Sequence, residues 1–561
     1  MFGGRGGRPG ERDAQPRDGP LRRAARARER RWRHRHHALR AWARAVDPRL
    51  PRLQRALAAL SPAGQRVRAC ARARLADQRN PAGRRASQTA RAGLACGVVV
   101  MDIDLTDKPA HVDPAPLPEA PIPRAPGSLP IVGHAARLLF KPLSFLSGLA
   151  PLGGLVRVDL GRLPMLLLTD PELTRQVLND SRTFDKGGAL FDKVRELTGN
   201  SLLTSRYDDH KLQRRQMQPA FSRKRILTYI DVMNEAIGGV IGGWCDGDVV
   251  DLTAACYDIT ARTASRTMFA ADVAGAAAAS LVEDLSIYLG GLFVRMMLPG
   301  GLPGRVPTPG SLRYDRAVAR LHAAIEQIID AYRASGVDHG DLLSMMLAAR
   351  DEDGQPWSQQ EVHDQVITLF LAGIETTAGV MSWTLYLLGR HPDIAERAAA
   401  EVRTTLGDAA VPQAEHLMQL GETRRAMMEA LRLYPPGWIF TRVVTRDTML
   451  GPYRLRVGDG LAYSPYVLHR NPALFAAPER FDPDRWLPER AAAIPEHGFI
   501  PFGGGVHKCI GDQFGTTENL LALAAILSRW KLEPVTSQPV EPIPRRATLS
   551  PSRFEVRLRR R

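Results

Sequence analysis

Near the C-terminus, the stretch Phe502-Gly-Gly-Gly-Val-His-Lys-Cys509-Ile-Gly511 sets four glycines and one cysteine within ten residues. Glycine at this density lets the backbone turn sharply and come close to a flat ligand. It also leaves backbone N–H groups free to aim at the sulfur, as a thiolate bound to haem iron requires. The segment therefore reads as a haem-thiolate loop. The plainer alternative is a buried structural cysteine in a glycine-rich turn, since a free cysteine is often just a small core residue. A loop of the first kind is useful only in a fold large enough to enclose a cofactor.

The 561 residues divide sharply near Met101. The first 100 contain 25 arginines, no lysine and 6 acidic residues, whereas 101–561 hold 51 basic and 53 acidic residues. The whole basic excess lies in the leader, so the balanced remainder gives no support to nucleic-acid binding. Three readings of residues 1–100 compete: a disordered basic tail, an organelle transit peptide, which their length and low serine content disfavour, and upstream sequence ahead of a true start at Met101. The near-exclusive use of arginine over lysine favours the last. Five cysteines, Cys70, Cys96, Cys245, Cys256 and Cys509, are too few and scattered for a disulfide framework. No run approaches about 18 apolar residues, so neither a transmembrane helix nor a membrane anchor is expected, and a reducing cytoplasm is the expected compartment.

Residues 101–134 form a proline-rich strap, extended rather than helical. Residues 135–561 read as one large domain. Short apolar strand-like runs, 154–160 and 165–169, alternate with helical patches up to about 230. The pattern is almost wholly helical from 255 to 435, and strand-like runs return at 438–465. The fold class expected is mainly α with minor β (α+β), a helical domain with small antiparallel sheets.

Ser358-Gln-Gln-Glu361 is a capping-box signature opening a helix that runs to about Gly389, with Pro392 soon after. In its middle, Ala372-Gly-Ile-Glu-Thr-Thr377 places a glycine, an acid and two hydroxyls in an apolar span, where polar groups need a reason. The glycine permits close approach of a ligand, and a hydroxyl beside a carboxylate can hold water and relay protons. The alternative is a helix interior in which Thr376 back-bonds to a carbonyl. Glu429 and Arg432 pair at i and i+3 on one helix face, which alone signals a surface ion pair. His210 and Arg214, at i and i+4, project two donors from one face, suiting a pair of carboxylates. Lys211 and Arg215 read as an exposed basic face able to meet an acidic partner.

Phe502, Gly505, His507, Cys509 and Gly511 fall on the cysteine-loop pattern F-x-x-G-x-[RH]-x-C-x-G, and Ala372, Gly373, Glu375 and Thr376 fall on A-G-x-[DE]-T. Both patterns are those of the cytochrome P450 family, which residues 135–555 resemble as a whole. The resemblance implies a single P450-type domain binding haem b (protoporphyrin IX iron) through the Cys509 thiolate. Phe502, Gly505, Gly511, Ala372 and Gly373 would flank the cofactor, and His210, Arg214, Arg442 and His507 would bind its propionates. It gives Thr376 and Glu375 the delivery of protons to dioxygen, and it gives Glu429 and Arg432, locked to a second arginine at Arg480, a scaffolding role behind the haem. The loop from Phe184 to Asn200 and the residues Leu371, Phe293, Met296, Trp438, Ile439, Phe440 and Leu549 would line an apolar pocket.

The implied reaction is insertion of one oxygen atom from O2 into a C–H bond of a hydrophobic small molecule. Phe184-Asp-Lys-Gly-Gly188, Gln218-Pro-Ala-Phe221 and Phe481–Arg490 look most like soluble bacterial members that oxidise cyclic sesquiterpenes. A fatty acid, steroid or polyketide is the rival substrate, and a haem protein that binds ligands without turnover is the rival class. Glu375 and Thr376 argue against the latter, which needs no proton relay. A ferredoxin and its NAD(P)H-dependent reductase are the expected electron donors, because no flavin or iron–sulfur segment accompanies the domain. A monomer is expected.

Overall fold

A computed structural model describes residues 119–161, 163–269, 276–297, 308–350, 354–407, 409, 411–543 and 546–561. The leader 1–100 and the start of the strap, 101–118, lie outside the described residues. Of the rest of the strap, the part around Pro123 and Ala125 runs extended, with Ala125 N–H bonding Arg157 O and Arg157 N–H bonding Pro123 O at 2.9 and 2.8 Å, and 129–133 folds into a tight turn closed by Leu129 and Gly133.

The helices that matter for the site are α1 Tyr207–Met217, α2 Arg223–Ile241, α3 Leu252–Phe269, α4 Ala276–Met297, α5 Pro309–Ser335, α6 Gln359–Arg390, α7 Gly421–Leu433 and α8 Asp512–Leu527. The capping box of α6 is present: Ser358 Oγ accepts from Glu361 N–H at 3.2 Å and Glu361 Oε2 accepts from Ser358 N–H at 2.8 Å. Both satisfy donors that the first turn cannot pair internally. Among the described residues α6 is the helix long and apolar enough to cross a membrane, yet 83% of its most apolar stretch is buried in protein. It is the axis of the core, with α3, α7 and α8 packed on it. Around it α2, α3, α7, α8 and the strands near the C-terminus share one apolar cluster, which includes Trp383, Met381, Ile259 and Leu521.

Among the described residues ten strands form three sheets: β1 Leu155–Leu160, β2 Leu163–Leu168, β3 Phe184–Asp185, β4 Val249–Asp251, β5 Phe440–Val444, β6 Thr448–Leu450, β7 Tyr453–Leu455, β8 Gly460–Tyr463, β9 Trp530–Pro534 and β10 Glu555–Arg560. The largest has the order β1-β2-β8-β5-β3, with β4-β10-β9 and the β6-β7 hairpin separate. The expectation of antiparallel sheets holds for all pairs but one. β2 and β8 run parallel, in the register Met165 to Gly460 through Leu168 to Tyr463. Parallel pairing needs a long crossover, and here nearly the whole helical part of the chain lies between the two strands. The stretch 184–200, expected as a loop, contains a helix at Ala189–Thr198.

Candidate active site

The cysteine loop is closed by Cys509 N–H bonding Phe502 O at 2.9 Å. Gly503 and Gly505 adopt φ of 70° and 61°, a region that side chains rarely enter. A Cβ on Gly505 would stand 2.0 Å from Leu178 O, so only glycine fits there. Gly511 has no such constraint, its Cβ position lying 4.0 Å from Cys509 Sγ. Phe502 packs against the main core cluster. Cys509 is exposed at the end of this loop. Burial pushes the thiol up and the Gly511 N–H opposes this. A coordinated metal ion would deprotonate it outright.

Three residues after Cys509 the chain enters α8, which packs on α6 with Gly515 against Thr377. On α6, Ala372 is exposed and Gly373 and Thr376 are half-buried, although Leu371, Ile374, Glu375 and Thr377 beside them are buried. No heavy atom lies within 4 Å of a Cβ placed on Gly373. The exposed cysteine stands just before α8 and the accessible turn lies on α6, two helices that pack on each other. Thr376 Oγ1 donates to Ala372 O at 2.6 Å, the back-bond weighed from sequence. That bond uses the hydroxyl proton and leaves its lone pairs able to accept. Glu375, 3% exposed, makes no hydrogen bond to Thr376. Its carboxylate is held by Tyr257, Thr548, Ser550 and Arg546.

Beside the loop, donors converge. His210 is buried on α1, its ring edge-on to His507 with centroids 4.4 Å apart. Arg214 Nη1 donates to Lys508 O at 2.5 Å. Arg442 is buried, bonding Thr441 O at 2.8 Å and Tyr463 Oη at 3.3 Å. His507 Nε2 stands 3.7 Å from Asp185 Oδ1, beyond hydrogen-bond length, and both its ring nitrogens are buried without a partner among the described residues. Lys186 joins this group: it is 5% exposed and its Nζ donates to Leu202 O at 2.7 Å. Burial, then the Arg442 charge, hold its ammonium well below the usual lysine range. Burial and the neighbouring Lys186 push His210 down to about 2, and burial pushes His507 down to about 4. Asp185 is the acid in contact with the group. An assembly so rich in donors and so poor in acceptors fits a ligand carrying two carboxylates. Sequence reasoning missed Lys186, although the Phe184–Gly188 segment that carries it was singled out.

Glu429 and Arg432 are fully buried and doubly bonded at 2.8 and 2.9 Å. The second arginine is not Arg480, whose side chain is exposed and whose carbonyl accepts from Arg432 Nη2 at 3.1 Å. Arg485 takes that place, its Nε 3.4 Å from Glu429 Oε1, and Trp486 Nε1 donates to Glu429 Oε2 at 3.0 Å. The turn at Pro483–Trp486 reverses the chain and brings Arg485 inward.

Of the expected pocket residues, Phe293, Trp438 and Leu549 meet in one buried cluster with Ile439 packed on it. Phe293 and Trp438 have ring centroids 5.8 Å apart. Leu371 is buried on α6. Phe440 departs from the group: it stacks on Tyr463 at 5.4 Å and packs on a different cluster, because its place in β5 opposite Tyr463 directs it there. Met296 falls in the last turn of α4, and its side chain lies outside the described residues.

The cytochrome P450 family matches residues 123–558. Cyclooctatin synthase of Streptomyces melanosporofaciens is 44% identical over 75% of this chain and 92% of its own length. The chain belongs to the cytochrome P450 family. Other relatives of this P450 are pentalenene oxygenase of Streptomyces avermitilis, 41% identical over 77% of this chain and 96% of that protein, and cyclooctat-9-en-7-ol 5-monooxygenase of Streptomyces melanosporofaciens, 44% identical over 73% and 89%. The crystal structure of the cytochrome P450DA haem domain superposes with a TM-score of 0.71 at 29% identity, covering 79% of this chain and 98% of that one. The P450 is accordingly a monooxygenase whose cofactor is haem with a cysteine thiolate ligand, and it works with redox partners, O2 and a hydrophobic substrate.

Proposed function

We propose that this P450 hydroxylates a cyclic terpenoid, a hydrocarbon or sparingly oxygenated ring system. The observation that carries the reading is 41–44% identity, across about three quarters of the chain, to three enzymes of which one is named for pentalenene and another for cyclooctat-9-en-7-ol. The Phe293, Trp438 and Leu549 cluster is an apolar wall suited to such a molecule.

Cys509 is the iron ligand in this reading. His210, Arg214, Arg442, His507 and Lys186 hold the propionates, and Ala372 and Gly373 leave room over the ring. Haem, when bound, supplies oxygen activation. The chain's residues orient it and exclude water from the pocket, and they move protons along α6 through Thr376 with Glu375 behind it. Glu429, Arg432 and Arg485 form a rigid support. A ferredoxin with its NAD(P)H-dependent reductase supplies electrons, docking at the basic face that Lys211 and Arg215 give α1, beside a cleft of about 660 Å³ that His210 and Arg214 also line. The enzyme acts as a cytoplasmic monomer.

Spectral titration of the holoenzyme with pentalenene tests the substrate class. A saturable shift of the Soret band toward high spin, followed by a hydroxylated product with ferredoxin, reductase and NADPH, is expected. A shift with fatty acids, steroids or polyketides and none with pentalenene or other cyclic terpenes would overturn it.

A further inference from the structure

Glu375 lies next to Thr376 in sequence, yet its carboxylate is fully engaged elsewhere. Tyr257 Oη donates to Oε2 at 2.6 Å, while Ser550 Oγ, Thr548 Oγ1 and Arg546 Nη1 reach Oε1 at 2.6, 2.8 and 3.2 Å. Burial, then the adjacent carboxylate, push the Tyr257 hydroxyl up, so it stays a donor. A carboxylate offers about four lone-pair sites; here Oε1 takes three donors and Oε2 one, which together fix the direction of the group. Three of the four come from the five residues 546–550, just before β10.

The same five residues are tied to the buried apolar cluster of Phe293 and Trp438, which the proposed function reads as the wall of the substrate pocket. Leu549 is 4% exposed and packs with Phe293 and Trp438. Its N–H donates to Pro436 O at 3.1 Å and its carbonyl accepts from Trp383 Nε1 at 2.8 Å. Trp438 Nε1 reaches Arg546 O at 3.4 Å, and Arg546 Nη2 also donates to Ser286 Oγ on α4. One short turn therefore touches the buried acid on one side and the apolar wall on the other. Turning Glu375 toward Thr376 breaks these bonds, and most of its donors sit on this turn.

We propose that Arg546, with Thr548 and Ser550, is a positioning residue for proton delivery: it keeps Glu375 turned away from Thr376, and through Leu549 it ties that setting to what fills the apolar pocket. This rests on the relay assigned to Glu375 and Thr376 under the proposed function. An empty pocket leaves the acid clamped, so reducing equivalents are spared. An apolar molecule pressing on Leu549 shifts the turn and frees the acid.

The test is NADPH oxidation by the full-length holoenzyme with ferredoxin and reductase, without added substrate. Arg546→Met should raise this rate about tenfold, the order expected for losing one charge-assisted hydrogen bond. Arg546→Lys should restore the wild-type rate, and the Arg546→Met effect should vanish in a Glu375→Gln background. Leu549→Ala, which loosens the turn from the wall, should mimic Arg546→Met. An unchanged rate, or an increase of equal size in the Glu375→Gln background, would overturn the proposal. If Arg546→Met fails to retain haem, the Thr548→Val, Ser550→Ala double variant serves under the same criteria. Should Glu375→Gln and Thr376→Ala each leave product yield and peroxide at wild-type levels, the relay itself is wrong. Should they raise peroxide while Arg546→Met changes nothing, only the positioning role fails.

Discussion

At Glu518 the fold places a carboxyl group 1% exposed on α8, with Oε1 lacking any partner among the described residues. Burial pushes it up to about 8 from an ordinary 4.5. The folded state then holds a proton that the unfolded state releases between those values, so Glu518 lowers stability as pH rises from about 4.5 to about 8 and adds no further slope above. Glu518→Gln should abolish that component, and the gap in unfolding free energy between the two proteins should widen with pH across this window, by at most about 1.4 kcal/mol per unit. Urea unfolding at a series of pH values measures it; a gap independent of pH would contradict the assignment. The buried ion pair behaves differently because it is complete. Arg485→Met leaves Glu429 short of a partner and should cost about 3–5 kcal/mol, whereas Arg480→Ala, at an exposed position, should stay within about 0.5 kcal/mol. Thermal unfolding of the two variants separates them. The i, i+3 spacing made Glu429 and Arg432 legible in sequence. The third member was not, because two arginines lie five residues apart and only the turn at Pro483–Trp486 decides which faces inward.

At the scale of elements, the cysteine loop and α6 carry most of what local sequence encodes. Gly505→Ala must accommodate a left-handed residue, at about 1–2 kcal/mol, and a Cβ placed against Leu178 O. The loop should be displaced, with haem content and the thiolate carbonmonoxy band both reduced; full haem loading would show that the loop tolerates the side chain. On α6 the capping box and the long apolar run were readable because helix ends and periodicity are local properties. The direction of Glu375 was not. Its partners lie on α3 and in the 546–550 turn, over a hundred residues away on either side, and no local pattern announces them. Thr376→Ala should retain haem but lower product per NADPH about tenfold or more, with peroxide rising in its place. Coupled assays of product and peroxide check this.

Over the whole molecule, the donor group around Lys186, His210 and Arg442 is assembled from β3, α1, β5 and the cysteine loop. In the protein without haem this group buries the Arg442 charge and the donors of Lys186 and His210 with Asp185 as the acid beside them, so removing haem should lower the melting temperature markedly, and Lys186→Met should narrow the gap between the two forms. Melting curves with and without haem decide it; an unaltered gap would place Lys186 outside the propionate site. The strand-like runs were visible as apolar segments of the right length, but the parallel β2–β8 pair was not, since pairing partners so distant are chosen by how the intervening helices pack. The same holds for Phe440, which β5 directs to Tyr463 and away from the other pocket residues. Sequence alone determined the cysteine loop, the long polar-centred helix, the mainly helical class and the family, because glycine conformation, capping and periodicity act between near neighbours. The tertiary structure alone decided which arginine completes the buried ion pair, which lysine joins the buried donor group and where Glu375 points, because a buried charge takes its partner from whatever the packing of distant elements brings within hydrogen-bond reach.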